Sequence, residues 1–360
     1  MPDSTSFYLP VARVLAQTRI VRERLLPRPG EAHVGTDDRV EPGDVVGRAF
    51  VPVSPIVYNI AQNLDVPTQQ VRSLLVKNIG DSFDAQDVIA RRKRPFRKHM
   101  VCRARSPGRL LAEHRGEVLL ESAMVPVDLT ANIRGVVVNA SRFGVVVDST
   151  GGLIQGVWGN GKESYGVLKV LGATREQALT ADLIDVSCLG TIIVVGGAVE
   201  PEGLQQAGTQ QLRGIIAASM PATLREQALA APFPIILTEG FGSLTMAAPA
   251  YELFKVSTTR EASLRAVSQT RWGAQRPEVV IPLSAREVAA GEAPPAHASL
   301  QYDRLVRICA GDQMGQTGRV LSDHPHVRVL SSGARARSVE IGLQDNETVW
   351  VAINNLEAIE

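Results

Sequence analysis

Aromatic side chains are scarce: Trp, Tyr and Phe together make up 4% of 360 residues, so the large rings that anchor many cores and interfaces are few. Cysteine is scarcer still. Cys102, Cys188 and Cys309 are far apart, odd in number and without CxxC spacing, which argues against a disulfide framework or a structural zinc site. Long apolar runs are missing too; the most apolar, Leu189 to Val199, falls well short of the roughly 20 residues a membrane span needs. Met1-Pro-Asp-Ser-Thr-Ser-Phe-Tyr8 has no basic-then-apolar signal pattern, so the expectation is a cytoplasmic protein with no membrane contact. One further absence is local. Residues 88–112 contain no Asp or Glu, yet hold nine of the 38 Lys and Arg (Arg91, Arg92, Lys93, Arg94, Arg97, Lys98, Arg103, Arg105, Arg109), leaving 29 bases to face all 37 acids elsewhere. The formal charge of +1 therefore conceals a strongly cationic segment in an otherwise acidic chain.

Against these absences stand 31 Gly, 21 Pro and 44% hydrophobic residues, the balance of a globular protein rich in sheets and turns. The length suits two or three domains, and three are expected.

The first, over residues 1–150, is β-rich and contains an internal repeat. Asp38-Arg-Val-Glu-Pro-Gly-Asp-Val-Val-Gly-Arg48 can be laid on Asp81-Ser-Phe-Asp-Ala-Gln-Asp-Val-Ile-Ala-Arg91, with Asp38, Asp44, Val45 and Arg48 recurring as Asp81, Asp87, Val88 and Arg91. A turn and a short apolar strand written twice is what a pseudo-symmetric sandwich of two similar halves would show. Val40-Glu-Pro-Gly-Asp-Val-Val46 resembles the biotinyl/lipoyl type of barrel-sandwich hybrid. The chain continues as Arg48-Ala-Phe-Val-Pro-Val-Ser-Pro55 without the carrier lysine, so the resemblance implies the scaffold and no attached cofactor. Val66 to Val76 reads as one short helix. The runs opened by Gly108, Gly116, Gly135 and Gly144 read as strands.

From 151 to 288 the rhythm becomes strand and helix in alternation. Thr191 to Val195, Gly214 to Ala218 and Pro234 to Thr238 are apolar strands, with helices expected over Pro201 to Leu212, Pro221 to Ala230 and Ser243 to Phe254. Strands apolar on both faces and joined by helices argue a small parallel sheet. Ligands gather at the C-terminal strand ends of such sheets, here Gly196-Gly197, Ser219-Met220 and Glu239-Gly240-Phe241-Gly242, although turn geometry and helix capping by Glu239 account for the same residues. Gly156 to Ser164 nearly spells a phosphate loop, but Glu163 occupies the hydroxyl position and a strand follows where a helix is needed. A glycine turn is the better reading, with Lys162 and Glu163 as polar contacts of a pocket. Thr270 to Arg276 adds two Arg and an amide of unreadable direction. Residues 289–299 read as a linker.

The last domain, residues 300–360, carries the clearest spelling. In Leu305-Val-Arg-Ile-Cys-Ala-Gly-Asp-Gln-Met-Gly-Gln-Thr-Gly-Arg-Val-Leu321, alternating Val306, Ile308 and Val320 flank a bend punctuated by Gly311, Gly315 and Gly318. With Ala336 to Leu343 and Val349 to Ile359 it resembles a KOW motif, as found in ribosomal proteins and at the C-terminus of NusG-type elongation factors. The resemblance implies an SH3-like five-stranded barrel that binds RNA or partner proteins. Its motif glycine falls on Gly315 or Gly318. The expected class is thus multidomain α+β: a barrel-sandwich-like domain, a central α/β domain with a small parallel sheet, and a KOW barrel.

Three functions compete. The leading one is a non-catalytic adaptor that contacts RNA or DNA, or the ribosome or RNA polymerase, through the barrel (Arg319, Arg335, Arg337) and the basic segment (Arg91, Arg92, Lys93, Arg94, Phe96, Arg97, Lys98, Arg103, Arg105). Against it stands a solvated loop. The second is an enzyme or ligand sensor with a pocket at Lys162, Glu163, Gly196, Gly197, Glu239, Gly240 and Gly242; no acid, His or Cys stands at a telling spacing, so no reaction can be written. The third is a subunit of a larger protein assembly. No metal is expected, because His324-Pro-His326 beside Asp323 supplies too few ligands.

Overall fold

The computed structural model describes residues 7–52, 55–95, 98–122, 124–267, 276–283, 297–343 and 347–359. Strands far outnumber helices among them and are distributed over several sheets. No helix among them is long and apolar enough to cross a membrane.

The repeat seen in the sequence is the visible part of a larger duplication. In both copies an aspartate closes a turn by accepting the backbone N–H three residues earlier: Asp38 from Gly35 at 2.7 Å and Asp81 from Asn78 at 2.8 Å, then Asp44 from Glu41 at 2.8 Å and Asp87 from Asp84 at 3.1 Å. The strands that follow form equivalent ribbons. Val45–Pro52 pairs with Met124–Thr130 so that Arg48 faces Asp128, and Val88–Arg92 pairs with Met100–Arg103 so that Arg91 faces Val101. Each ribbon breaks register at the corresponding place. The second halves match as well. Gly135–Ser141 pairs with Gly144–Gln155, and Gly108–His114 with Glu117–Ser122, with Val137 opposite Val147 and Leu110 opposite Leu120, and the next ladder pair displaced in both. A Cβ on Gly135 or Gly108 would strike the carbonyl of Asp148 or Glu121, its equivalent, at 2.3 or 1.8 Å.

One copy is therefore inserted into the other. The outer copy spans about residues 22–52 and 124–148; the inner lies between its halves, at the tip of the outer ribbon. Each has its own core at matching positions: Val40, Val46, Ala131, Val137, Val145 and Val147 outside, Phe83, Ile89, Ala104, Leu110, Val118 and Leu120 inside. Burying each larger aliphatic side chain contributes about 1.5–3 kcal/mol, so each copy stands on its own apolar centre. This corrects the expectation that the repeats are two halves of one sandwich. Within the expected Val66 to Val76, the inner copy has the 3-10 turn Thr68–Gln70 and helix Val71–Leu74, and a further helix, Ile60–Leu64, precedes them.

The expected parallel sheet is present as the order Ile235–Phe241, Gly214–Met220, Thr191–Val194, Glu163–Val170. Its strands alternate strictly. Ile193, Ile215, Ala217, Ile235 and Leu237 face helices Pro201–Thr209 and Arg225–Ala230, while Ile192, Val194, Ile216 and Ile236 face helix Ala248–Val256. The sheet does not stop there. It continues antiparallel through Glu261–Arg265 and Glu278–Pro282 to Gly144–Gln155, which the outer copy shares. Gly144–Gln155 thus runs through the domain boundary expected at 150, its first half pairing in the outer copy and its second half with Glu278–Pro282.

The C-terminal sheet comprises Leu305–Ile308, Thr317–Val320, His326–Val329, Arg335–Leu343, Thr348–Ala352 and, after the 3-10 turn Ile353–Asn355, Leu356–Ile359, which returns to pair with Leu305–Ile308. It takes in a strand from the other end of the chain. Tyr8–Ala12 lies parallel to Leu356–Ile359 and antiparallel to His297–Ser299, with Leu9 and Val11 buried in the same core as Val306, Ile308 and Val339. The expected linker 289–299 is corrected at its end: His297–Ser299 is a strand, while 289–296 lie outside the described residues. Three residues carry no period to read, and their partner lies near residue 9.

Candidate nucleic-acid interface

The C-terminal sheet encloses a groove of about 480 Å³ between the Ala310–Gln313 bend and the strands around Trp350. Its floor is an assembled stack. The Arg328 guanidinium lies 3.7 Å from the centre of the Trp350 ring, and His326 meets the same ring edge-on at 5.9 Å. Strand pairing explains why they meet: His326 and Arg328 stand opposite Ser338 and Ala336 on Arg335–Leu343, and Trp350 stands opposite Glu340 of that strand on its other side, all on one face of the sheet. The opposite face packs Val339, Ile341 and Val351 into the core. Asp312, Gln313 and Asn355 add hydrogen-bonding groups along the groove, and Val329 and Val349 add apolar wall.

The arginines expected on this barrel have separate positions. Arg319 donates to the Asp303 carbonyl at 2.8 Å and approaches its carboxylate at 3.2 Å, bracing a turn in which Asp303 has φ +64°. Arg337 lies over the Phe7 ring at 5.3 Å, and Arg335 is exposed beside Val329. Neither Arg319 nor Arg337 shares the Trp350 stack. The residues that form it, Arg328 and Trp350, are two strands apart in the sequence, and only pairing brings them together.

The basic segment forms the hairpin of the inner copy, and its cations divide into two sets. Arg92 donates to the Leu64 carbonyl at 2.8 Å and to that of Asp65, closing the end of helix Ile60–Leu64; Arg103 donates to Gln86 O at 2.8 Å; Arg105 lies 5.9 Å from the Tyr58 ring. These hold the fold together. Arg91, Lys93, Arg94 and Lys98 have no side-chain hydrogen bond or ion pair among the described residues, and all but the half-buried Arg94 are exposed. Phe96 and Arg97 lie outside the described residues.

The strand ends of the parallel sheet are filled by the chain itself. Gly196 and Gly197 pack on the backbone of Arg175 to Gln177, where a Cβ would meet carbonyls at 2.2 and 2.5 Å. Gly196 O accepts the Met246 N–H at 2.8 Å, Gly242 N–H donates to Met220 O at 2.9 Å, and Ser219 ties down Leu244. Gly240 and Gly242 have φ of +105° and +128° and serve the turn. Glu239 accepts the Ala247 N–H at 3.0 Å just before helix Ala248–Val256, the capping role open to it from sequence. Its other oxygen meets Arg307 at 2.5 Å.

Arg307 reaches in from the C-terminal sheet, donates to Thr238 O at 2.7 Å and is also paired with Glu357, which Arg276 meets in turn. Of the Thr270 to Arg276 stretch only Arg276 is among the described residues. Burial disfavours the Arg307 cation, but Glu239 and Glu357 more than reverse this and hold it above its ordinary pKa. A buried pair of this kind contributes little net energy; removing one partner leaves an uncompensated charge, at about 3–5 kcal/mol. Gly315 sits at the same junction against Leu244, so the C-terminal sheet is docked by charge and shape together.

Lys162 and Glu163 diverge. Lys162 Nζ donates to Leu229 O at 2.8 Å, while Glu163 is clamped by Arg24 at 2.9 and 2.6 Å and by Arg265 at 3.0 Å. Burial raises the Glu163 pKa, but the two arginines outweigh it and leave it below its ordinary value. The adjoining cavity, about 20 Å³ among Arg22, Asn132, Ser263 and Val280, has room for a water and no metabolite. His324 is paired with its neighbour Asp323 at 2.6 Å, and among the described residues no group of three or more His, Cys, Asp or Glu is placed to hold a metal. Comparison with protein families finds no match, and comparison with curated proteins finds none.

Proposed function

We propose that the chain is a non-catalytic cytoplasmic binding protein that holds single-stranded nucleic acid on its C-terminal barrel, working beside the ribosome or RNA polymerase with protein partners around it. The observation that carries this reading is the Arg328–Trp350 stack in an open groove. Unpaired bases stack on aromatic rings and on guanidinium planes, and the exposed Arg328 is the layer a base meets first. The KOW resemblance points the same way. It is supported by the paired strands Leu305–Ile308 and Thr317–Val320 around a bend with Gly311 and Gly315 at positive φ, and by the return of Leu356–Ile359 to the first strand.

Stacking of a base contributes about 1–3 kcal/mol, so Trp350→Ala and Arg328→Gln are each expected to weaken binding of a short single-stranded RNA by about 5- to 150-fold. Fluorescence anisotropy of a labelled oligonucleotide reads this. No salt-dependent binding of RNA or DNA by the unmodified protein, or full affinity in both variants, sinks the reading; capture of an extended peptide instead would reassign the groove to a protein partner.

A further inference from the structure

The duplication supplies an internal control for the basic hairpin. From Val88 to Arg92 and from Met100 to Arg103 the inner ribbon has the pairing and the register break of the outer one, so each paired inner position has an outer counterpart. Past the last inner pair, Arg92 with Met100, the sequence offsets of 43 and 27 set Lys93, Arg94 and Lys98 against Phe50, Val51 and Val125 of the outer ribbon. Where Arg48 is held by Asp128 at 2.5 Å, its counterpart Arg91 faces Val101 and has no carboxylate partner among the described residues. The scaffold therefore does not require these charges. Like charges crowded on one hairpin oppose its formation, so fold stability does not account for the cluster.

From this we infer that the inner copy is a cationic finger that grips the phosphate backbone of nucleic acid through Arg91, Lys93, Arg94 and Lys98. This rests on the nucleic-acid reading and adds a second contact, remote in sequence from the barrel. The inner copy, residues 55–122, holds 12 Lys and Arg against seven acids, so attraction extends past the tip. A protein partner fits less well, because protein interfaces favour aromatic anchors and avoid lysine, whereas phosphates need only donors and charge. Contact through phosphates is indifferent to base sequence, so the finger supplies affinity and the Trp350 groove supplies any base preference.

The test compares full-length protein with the variant Arg91→Gln/Lys93→Gln/Arg94→Gln/Lys98→Gln, and with a second variant, Lys93→Phe/Arg94→Val/Lys98→Val, that takes the residues the outer copy uses. Anisotropy is followed with labelled single strands of two unrelated sequences between 50 and 200 mM salt. Four phosphate contacts on a single strand correspond to a log–log slope of about −3, an affinity loss of about 50-fold over that range. The quadruple variant is expected to lose that share of the slope equally for both sequences, while Trp350→Ala keeps the slope and loses affinity. Unchanged slope in both finger variants overturns the inference and leaves the barrel reading standing. Competition by polyglutamate as effective as that of nucleic acid, at equal charge, also overturns it in favour of an acidic protein.

Discussion

Neutralising Glu163 leaves Arg24 and Arg265 facing each other without the carboxylate that holds them, and Arg24 is the more buried of the two. The cluster joins strand Val14–Leu25 of the outer copy to the first strand of the parallel sheet, so the cost falls on the junction. Glu163→Gln is expected to lower unfolding free energy by about 1–2 kcal/mol at neutral pH, a figure trimmed for the partial exposure of the carboxylate. The pH dependence has a definite sign. The folded pKa lies below the ordinary 4.5, so the Glu163 contribution is fully present above that value and disappears as pH falls through the folded one. Urea unfolding of both proteins from pH 7 down to pH 3 should show a gap that closes at the acid end; a gap constant across that range rejects the ion-pair account. In sequence, Glu163 stands out as the residue that spoils a phosphate loop and as a pocket candidate, not as the centre of an ion-pair cluster. Its arginines lie at 24 and 265, separations at which no spacing rule operates.

The element that sequence reading half recovered is the repeat. An offset of 43 links Asp38 to Asp81 and Arg48 to Arg91, but the second half of the duplication runs the other way, Val145 answering to Val118 and Gly135 to Gly108. Insertion of one copy inside the other reverses the offset, so no single shift aligns both halves. Local chemistry was legible where it was self-contained, as in the aspartate turns and the glycine-led strands. Pairing between distant strands, which decides that the copies have separate cores, was not. The nesting leads to a strong expectation. Residues 53–123 leave and rejoin the outer ribbon at its tip, where Pro52 pairs with Met124, and the inner core draws on inner residues alone. Replacing 53–123 by Asn-Gly gives a two-residue hairpin of the type that suits strand twist. The shortened protein is expected to unfold cooperatively with a melting temperature within a few degrees of the full chain, by circular dichroism. Loss of a cooperative transition would show that the inner copy supports the rest.

At the scale of the molecule, the last sixty residues read in sequence as an appended barrel beyond a linker, and the structure makes their sheet a partner of the first residues of the chain. Tyr8–Ala12 completes the sheet against Leu356–Ile359 and His297–Ser299; one residue later Val14–Leu25 enters the large central sheet, opposite Ile154 and Leu153. A single segment thus stitches two sheets, and Arg13 O accepts the Gln155 N–H at 2.9 Å at the crossing. The glycine bend and alternating strands of the barrel were readable because they are local; the stitching strand was not, since Tyr8 to Ala12 has no feature that names a partner some 350 residues on. Deleting residues 1–12 removes Leu9 and Val11 from the core of the C-terminal sheet, a loss of about 3–6 kcal/mol at the usual value for buried aliphatic side chains, before the ladder is counted. It also bares the edge of Leu356–Ile359, and an unpaired edge is a template for aggregation. Hydrogen exchange should therefore accelerate selectively at Leu356–Ile359 and His297–Ser299, with the parallel sheet protected as before, and light scattering should rise on mild heating. Equal protection of Leu356–Ile359 with and without residues 1–12 would mean that the C-terminal sheet holds without Tyr8–Ala12. In that case the pairs of Arg307 with Glu239 and of Glu357 with Arg276 would be its main polar tie to the body of the protein.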